Sequence, residues 1–267
     1  MIIYLLKMIA CSAAFYALYA LLFQKEKMFV FNRIYLIGSL LLSFLIPLIT
    51  FEVKVPATAL YRYNEINWPA AYITREPSLS HYLPYVFYTI TAIVSVFLLI
   101  RFIKNIVRLK RCMSRYKRVH INDTKISLLD EPIVPHSFLD TIFLNKKEYE
   151  QGGIEAEVLA HELAHVRQRH SLDILFIELL QIFCWFNPML YLYKRSIKVN
   201  HELLADAAVI EQFDNVHDYQ HILLQRSGVK AAMMMASSFN FLITKKRLIM
   251  LQKTFNKKRT TWYALTV

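Results

Sequence analysis

Three stretches of this chain are long and apolar enough to cross a lipid bilayer, and they constrain its fold more than any other feature. Residues 2–23 are interrupted only by Lys7, while residues 34–51 and 82–100 carry no charge at all. At about 1.5 Å per residue each run makes a helix that covers a hydrocarbon core of about 30 Å. Pro47 and Pro84 fall inside the second and third runs, where membrane helices tolerate proline. The expectation is three transmembrane helices at about 2–23, 34–51 and 82–100. With only four glycines in 267 residues, the Gly-rich loops of phosphate- and dinucleotide-binding folds are excluded and a turn-dense all-β fold is disfavoured. Cys11, Cys112 and Cys184 lie far apart without a C-x-x-C pair, which supports neither a disulfide framework nor a cysteine metal site.

The formal charge of +12 is not spread evenly. Arg101, Lys104, Arg108, Lys110, Arg111, Arg115, Lys117 and Arg118 form one block, and Lys245, Lys246, Arg247, Lys253, Lys257, Lys258 and Arg259 form another; neither contains an acid. The rest of the chain is slightly acidic. Blocks beside apolar stretches obey the positive-inside rule, so they read as membrane-flanking cytoplasmic segments, with no direct nucleic-acid partner. Lys25, Lys27 and Arg33 put the loop after the first span on the same side. The N-terminus then faces outward, residues 52–81 form an external loop, and the chain from Arg101 to about Arg259 is cytoplasmic.

This gives three segments: a transmembrane module at 1–103, a cytoplasmic domain at 104–244, and at 245–267 a basic juxtamembrane segment leading into a further span. Residues 118–129 and 138–144 are short, β-branched and broken by Asn122-Asp123, Pro132 and Pro135, as in a small sheet. From Glu155 helical periodicity takes over, with Ala156, Leu159, Ala160, Leu163 and Val166 on one broad face.

Inside that helix stands His161-Glu162-Leu163-Ala164-His165. The i, i+4 spacing sets both imidazoles on one face, one turn apart, where they can hold one Zn²⁺ with Glu162 beside it and not needed as a ligand. Chance gives about 0.015 such matches in a chain of this composition. A catalytic zinc needs a third protein ligand and an open position. Six residues after His165 stands Ser171, which excludes the metzincin pattern. His170 reads as an exposed helix-end histidine. Downstream, Glu202 and Asp206 share a helical face, so that Glu202 can ligate while Asp206 orients a ligand histidine through its other ring nitrogen.

Residues 171–193 lie between the two motifs and are mostly apolar. A full crossing there would put Glu202 on the wrong side of the membrane, so the run is expected to turn back near Asn187-Pro188 as a membrane-embedded or buried helical hairpin.

The motif at 161–165, Phe186-Asn187-Pro188 and the run from Asn200 to Asp206, behind three spans, resemble the BlaR/MecR family of membrane metallopeptidases. These are gluzincin-type sensor-transducers tied to regulation of antibiotic resistance. The resemblance implies a mainly α membrane protein with a cytoplasmic α+β zinc peptidase domain. It implies one Zn²⁺ on His161, His165 and Glu202, Glu162 as general base and Asp206 behind the ligands. It also implies a further span and an external sensor after the peptidase, so residues 260–267 read as the first turns of that span and the sequence as part of a longer protein.

The expected activity is cleavage of a cytoplasmic protein such as a transcriptional repressor, or of the protein itself, in the bacterial inner membrane, with a second copy in a homodimer among the candidate partners. His217, Tyr219 and His221 are candidates to steady the oxyanion. Residues 141–144 are placed either as an edge strand that pairs with an extended substrate or as an ordinary core strand. Two rival functions stand beside this one: a non-proteolytic signal relay or scaffold with a structural zinc, and a quality-control protease of the HtpX kind.

Overall fold

The computed structural model describes residues 2–49, 79–115, 117–121, 124–234 and 238–253. Helix α1 (Ile2–Leu18) runs into a π-helical turn, Tyr19–Phe23, and α2 (Phe29–Leu45) ends in a 3-10 turn, Ile46–Leu48, at Pro47. The second membrane helix therefore starts five residues earlier than its charge-free run. Asn32 and Arg33 stay helical because the Asn32 amide donates to Phe23 O (3.3 Å) and the Arg33 guanidinium to Asp173 (2.7 Å), so neither polar group needs water. Helix α3 (Leu79–Arg115) has 37 residues and is about 55 Å long, nearly twice a hydrocarbon core. Its apolar half matches the expected third span, and Arg101, Lys104, Arg108 and Lys110 continue the same helix, exposed. Among the described residues, three helical stretches are long and apolar enough to cross a membrane: Ile3–Phe23, Phe29–Leu48 and Tyr82–Arg111. Most of the expected external loop and all of residues 260–267 lie outside the described residues.

A four-stranded sheet follows: β1 (Lys117–Ile121), β2 (Thr124–Leu129), β3 (His136–Phe138) and β4 (Thr141–Asn145), in spatial order β1-β2-β4-β3. The β2–β4 pair is parallel and the two outer pairs are antiparallel. This decides between the two placements of residues 141–144 in favour of the core strand: β4 is an interior strand with every residue buried, so those residues have no open edge to offer, and the edge beside the next long helix is β3. Short α4 (Lys146–Glu150) ends at Gly152, whose φ of +66° suits a residue without Cβ. Helix α5 (Ala156–Arg167) starts at Glu155, which Arg226 binds through Nε at 3.1 Å. Its Leu159, Leu163 and Val166 pack on Ile126, Leu128, Ile142 and Leu144 of the sheet, which leaves the histidine side of the helix facing away from the strands.

Arg169 takes a left-handed conformation (φ 54°) and turns the chain into α6 (His170–Phe183). After the break at 184–188 comes α7 (Met189–Phe213), then α8 (Val216–Met234) and α9 (Ser238–Gln252). The expected hairpin is thus a pair of packed helices, α6 and α7, broken where Asn187-Pro188 stands. It lies against the membrane helices: Ile177, Leu190, Tyr193 and Ile197 share one core with Tyr19, Phe23, Leu36 and Leu40. Polar stitches cross this seam, with Asn187 donating to Ser12 Oγ (3.4 Å), Tyr193 to Ser12 O (3.4 Å) and Ser95 to Ile182 O (2.9 Å). Ser12 stands midway along the first span, so the hairpin tip reaches the middle of that helix.

Candidate metal centre

Helix α5 presents His161 and His165 toward α7, and their Nε2 atoms lie 3.2 Å apart. Glu202 on α7 completes a triangle, with Oε2 at 3.5 Å from His161 Nε2 and Oε1 at 3.7 Å from His165 Nε2. Among the described residues, the His, Cys, Asp and Glu donors that group within 4.8 Å of one another are these three. A four-coordinate ion with bonds of about 2.0–2.1 Å sets its ligand atoms about 3.3–3.4 Å apart, so the three separations fit one metal ion of that size. The Glu202 side chain is 31% exposed, so the triangle opens to solvent on its carboxylate side. Glu162 stands beside the first ligand on the same helix, almost buried, and is not one of the three donors.

The rear of each imidazole is also held. Tyr219 on α8 sits 2.9 Å from His161 Nδ1 and donates to Asp206 Oδ1 at 2.8 Å, while Asp206 Oδ1 itself is 3.3 Å from the same ring nitrogen. A His161 ring that ligates through Nε2 carries its other proton on Nδ1 and gives it to Tyr219 Oη, which passes its own to Asp206. Without metal, burial works against protonation of His161, but hydrogen bonds to Asp206 and Glu202 win and its pKa is raised to about 9. His165 has the opposite fate: burial and the neighbouring His161 push it down to about 3, so it stays neutral. Burial opposes ionisation of Glu202 and Asp206 too, but His161 and Arg247 hold both carboxylates below their ordinary range.

A family model described as BlaR1 peptidase M56 matches residues 82–251, well over half of the chain and all of the ligand cluster. The chain belongs to this family. The M56 chain is 32% identical over 88 residues to Regulatory protein BlaR1 of Bacillus licheniformis, which covers 31% of this chain and 15% of that protein. It is 30% identical over 149 residues to the methicillin resistance mecR1 protein of Staphylococcus aureus, covering 50% of this chain and 23% of the relative. The matched region therefore spans less than a quarter of each of these relatives. Together with its three long apolar helices, the likeness makes this M56 chain a membrane protein of a peptidase family of signal transducers.

Two parts of the M56 site escaped the sequence. The first is Arg247 on α9, which lies in the second basic block. Instead of facing the membrane surface it is buried in the site, with Nη1 at 2.9 Å from Glu202 Oε2 and Nε at 2.8 Å from Asp206 Oδ2. Despite burial, the two carboxylates and Tyr219 raise its pKa further. Of the three oxyanion candidates, His217 and His221 are exposed on α8 and face each other, ring centroids 4.8 Å apart. Tyr219 reaches the site, but behind His161, with its hydroxyl committed to that ring and to Asp206. Arg247 brings a permanent positive charge to the ligand cluster.

The second is His170. It is 3% exposed, not an exposed helix-end residue, because the left-handed turn at Arg169 folds it back under His165. Its Nδ1 lies 2.7 Å from His165 Nδ1 and its Nε2 2.9 Å from Gln168 Oε1. Burial, His201 and His165 hold it down to about 2. The only consistent proton placement has His165 Nδ1–H donating to His170 Nδ1, and His170 Nε2–H donating to Gln168. That leaves the His165 Nε2 lone pair on the ligand side, where it lies 3.2 Å from His161 Nε2.

Proposed function

We propose that this chain is a zinc endopeptidase that relays a signal across the bacterial inner membrane by cutting a cytoplasmic regulator, such as a transcriptional repressor, or a copy of itself. Its N-terminus lies outside and its peptidase part in the cytoplasm. The observation that carries the reading is the open triangle of His161, His165 and Glu202 donors with Glu162 beside it. Three donors and a solvent-facing side favour a catalytic ion over a structural one, which would be closed by four protein ligands. The relatives are named for regulation and for methicillin resistance, and proteolytic signalling carries that role to this chain.

Zinc at this place supplies Lewis acidity, which makes water easier to ionise and a peptide carbonyl more electrophilic. The remaining work belongs to side chains. Glu162 takes the proton from the attacking water and returns it to the leaving amine. Tyr219 and Asp206 behind His161, and His170 with Gln168 behind His165, fix the two rings in the tautomer that leaves Nε2 free to ligate. Arg247 holds the Glu202 carboxylate in place for the metal and binds Asp206 behind His161. An extended substrate would pair with the outer edge of β3, the edge strand that packs beside α5.

The reading is tested with Glu162→Gln in the full chain, reconstituted in lipid. Zinc content should stay at wild-type level while cleavage of the regulator, or self-cleavage, falls by about 10²–10⁴-fold. Proteolysis at the wild-type rate in that variant would refute the mechanism. Cleavage of many unfolded membrane proteins in place of one regulator would move the reading to a quality-control protease.

A further inference from the structure

We propose that Arg33, on the second membrane helix, is a positioning residue for the metal site: through Asp173, His201 and His170 it fixes the ring of the ligand His165. The inference rests on the metal-site reading above.

Four contacts connect the helix to the ligand. Arg33 Nε donates to Asp173 Oδ2 at 2.7 Å, and the same oxygen accepts from His201 Nε2 at 2.8 Å. The His201 ring lies flat on His170, with centroids 4.1 Å apart and planes 7° from parallel. His170 Nδ1 then accepts a hydrogen bond from His165 Nδ1–H at 2.7 Å. The path is almost closed to water: side-chain exposure is 24% at Arg33, 12% at Asp173 and 4% at His201. Charged groups withdrawn from water in this way cost free energy unless every partner is in place. The cleavage steps use none of them. What the arrangement does achieve is orientation. One Asp173 oxygen takes both donors, so the position of the Arg33 guanidinium sets where the His201 ring stands. The parallel stack fixes the plane of His170, and that plane aims the lone pair that holds His165. His201 also adjoins Glu202, so the same contacts set the rotation of α7 that delivers the third ligand. A residue in a membrane helix thus bears on both ligand helices, and a shift of α2 would be felt at the metal.

The test uses the full chain in lipid nanodiscs with zinc as the probe. Zinc affinity is measured by competition with a chromophoric chelator, alongside the thermal unfolding of the metal-free protein. Arg33→Gln and Asp173→Asn should each weaken zinc binding by about tenfold or more, as loss of outer-shell partners of metal ligands does. The double variant should lose no more than the worse single one, since both act on one path. Wild-type affinity in the single variants, with only a lower melting temperature, would overturn the proposal and leave a purely structural ion pair. So would single effects that multiply in the double variant. If these variants do not fold, Arg33→Lys and Asp173→Glu keep the charges while displacing the contact; weaker zinc binding by a folded protein supports the proposal, and unchanged binding overturns it. A wild-type chain that takes up no zinc would refute instead the metal-site reading underneath.

Discussion

At the scale of single residues, the state of His161 makes metal uptake a proton-linked event. His165 already carries its one proton on Nδ1, facing His170, so it can ligate without losing any. His161 without metal holds a second proton up to a pKa of about 9. Uptake near pH 7 should therefore release about one proton, and apparent zinc affinity should rise about tenfold per pH unit up to about pH 9, then level off. Calorimetry in buffers of different ionisation enthalpy measures the proton count, and a pH-independent affinity would contradict the assignment. The linkage has a second face: because the folded pKa is raised, His161 stabilises the metal-free protein fully below the unfolded value near 6.5 and loses that contribution as pH rises through 9. Arg247 gives a further prediction. Arg247→Met leaves Asp206, 1% exposed, without its cation and should destabilise the protein by about 3–5 kcal/mol. Arg247→Lys should recover part of this, as it restores the charge but not the planar fork; thermal unfolding of the two variants distinguishes them. The two α5 imidazoles were legible because their spacing is local. Arg247 was not, because a charge count along the chain treats it as one of seven in a block, and only the packing of α9 on α7 shows its carboxylate partners.

Helices and strands were legible to the extent that their causes are local. The apolar runs mark the membrane helices and the period-3.6 pattern marks α5, but strand order is set by contacts between distant residues, which is why 141–144 fitted an edge strand as well as a core one. The start of α2 was displaced for the same reason, as Arg33 stays in the helix only because Asp173, 140 residues on, accepts from it. Arg169 is the element-scale hinge. Its φ of 54° costs a residue with Cβ about 1–2 kcal/mol, and the turn is what brings His170 under His165. Arg169→Gly should leave stability within about 1 kcal/mol of wild type, since relief of strain is offset by the greater freedom of the unfolded chain. Arg169→Val should cost at least about 1–2 kcal/mol and weaken zinc binding. Equal melting temperatures for the two variants would show that the turn stores no strain.

At the scale of the molecule, the membrane helices and the helices that carry the ligand cluster do not form separate bodies connected by a tether. Tyr16 meets Ser196 (3.1 Å), Ser39 meets Tyr193 (3.2 Å), and Asn200 donates to Phe29 O (2.9 Å). The far end of α9 joins the same face, where Lys253 binds Glu26 at 3.1 Å in the turn between the first two spans. The sequence showed spans and a metal motif one after the other; that they share a core follows from α7, whose first half is apolar enough to line the spans and whose second half carries Glu202 and Asp206.

Asn200, which touches the first residue of α2, precedes Glu202 by two positions, about 3 Å along the helix. In the proposed reading the ligand cluster is therefore held where the second span begins, at the height of the lipid surface. A soluble protein meets it only by arriving at that surface, whereas a segment hung from the bilayer by ten flexible residues has a root-mean-square distance of about 17 Å from its anchor and visits the site at high effective concentration. Reach, before residue preference, then selects what is cut. Anchoring a peptide substrate to the vesicle that holds the enzyme should raise its cleavage rate by orders of magnitude over the same peptide free at micromolar concentration.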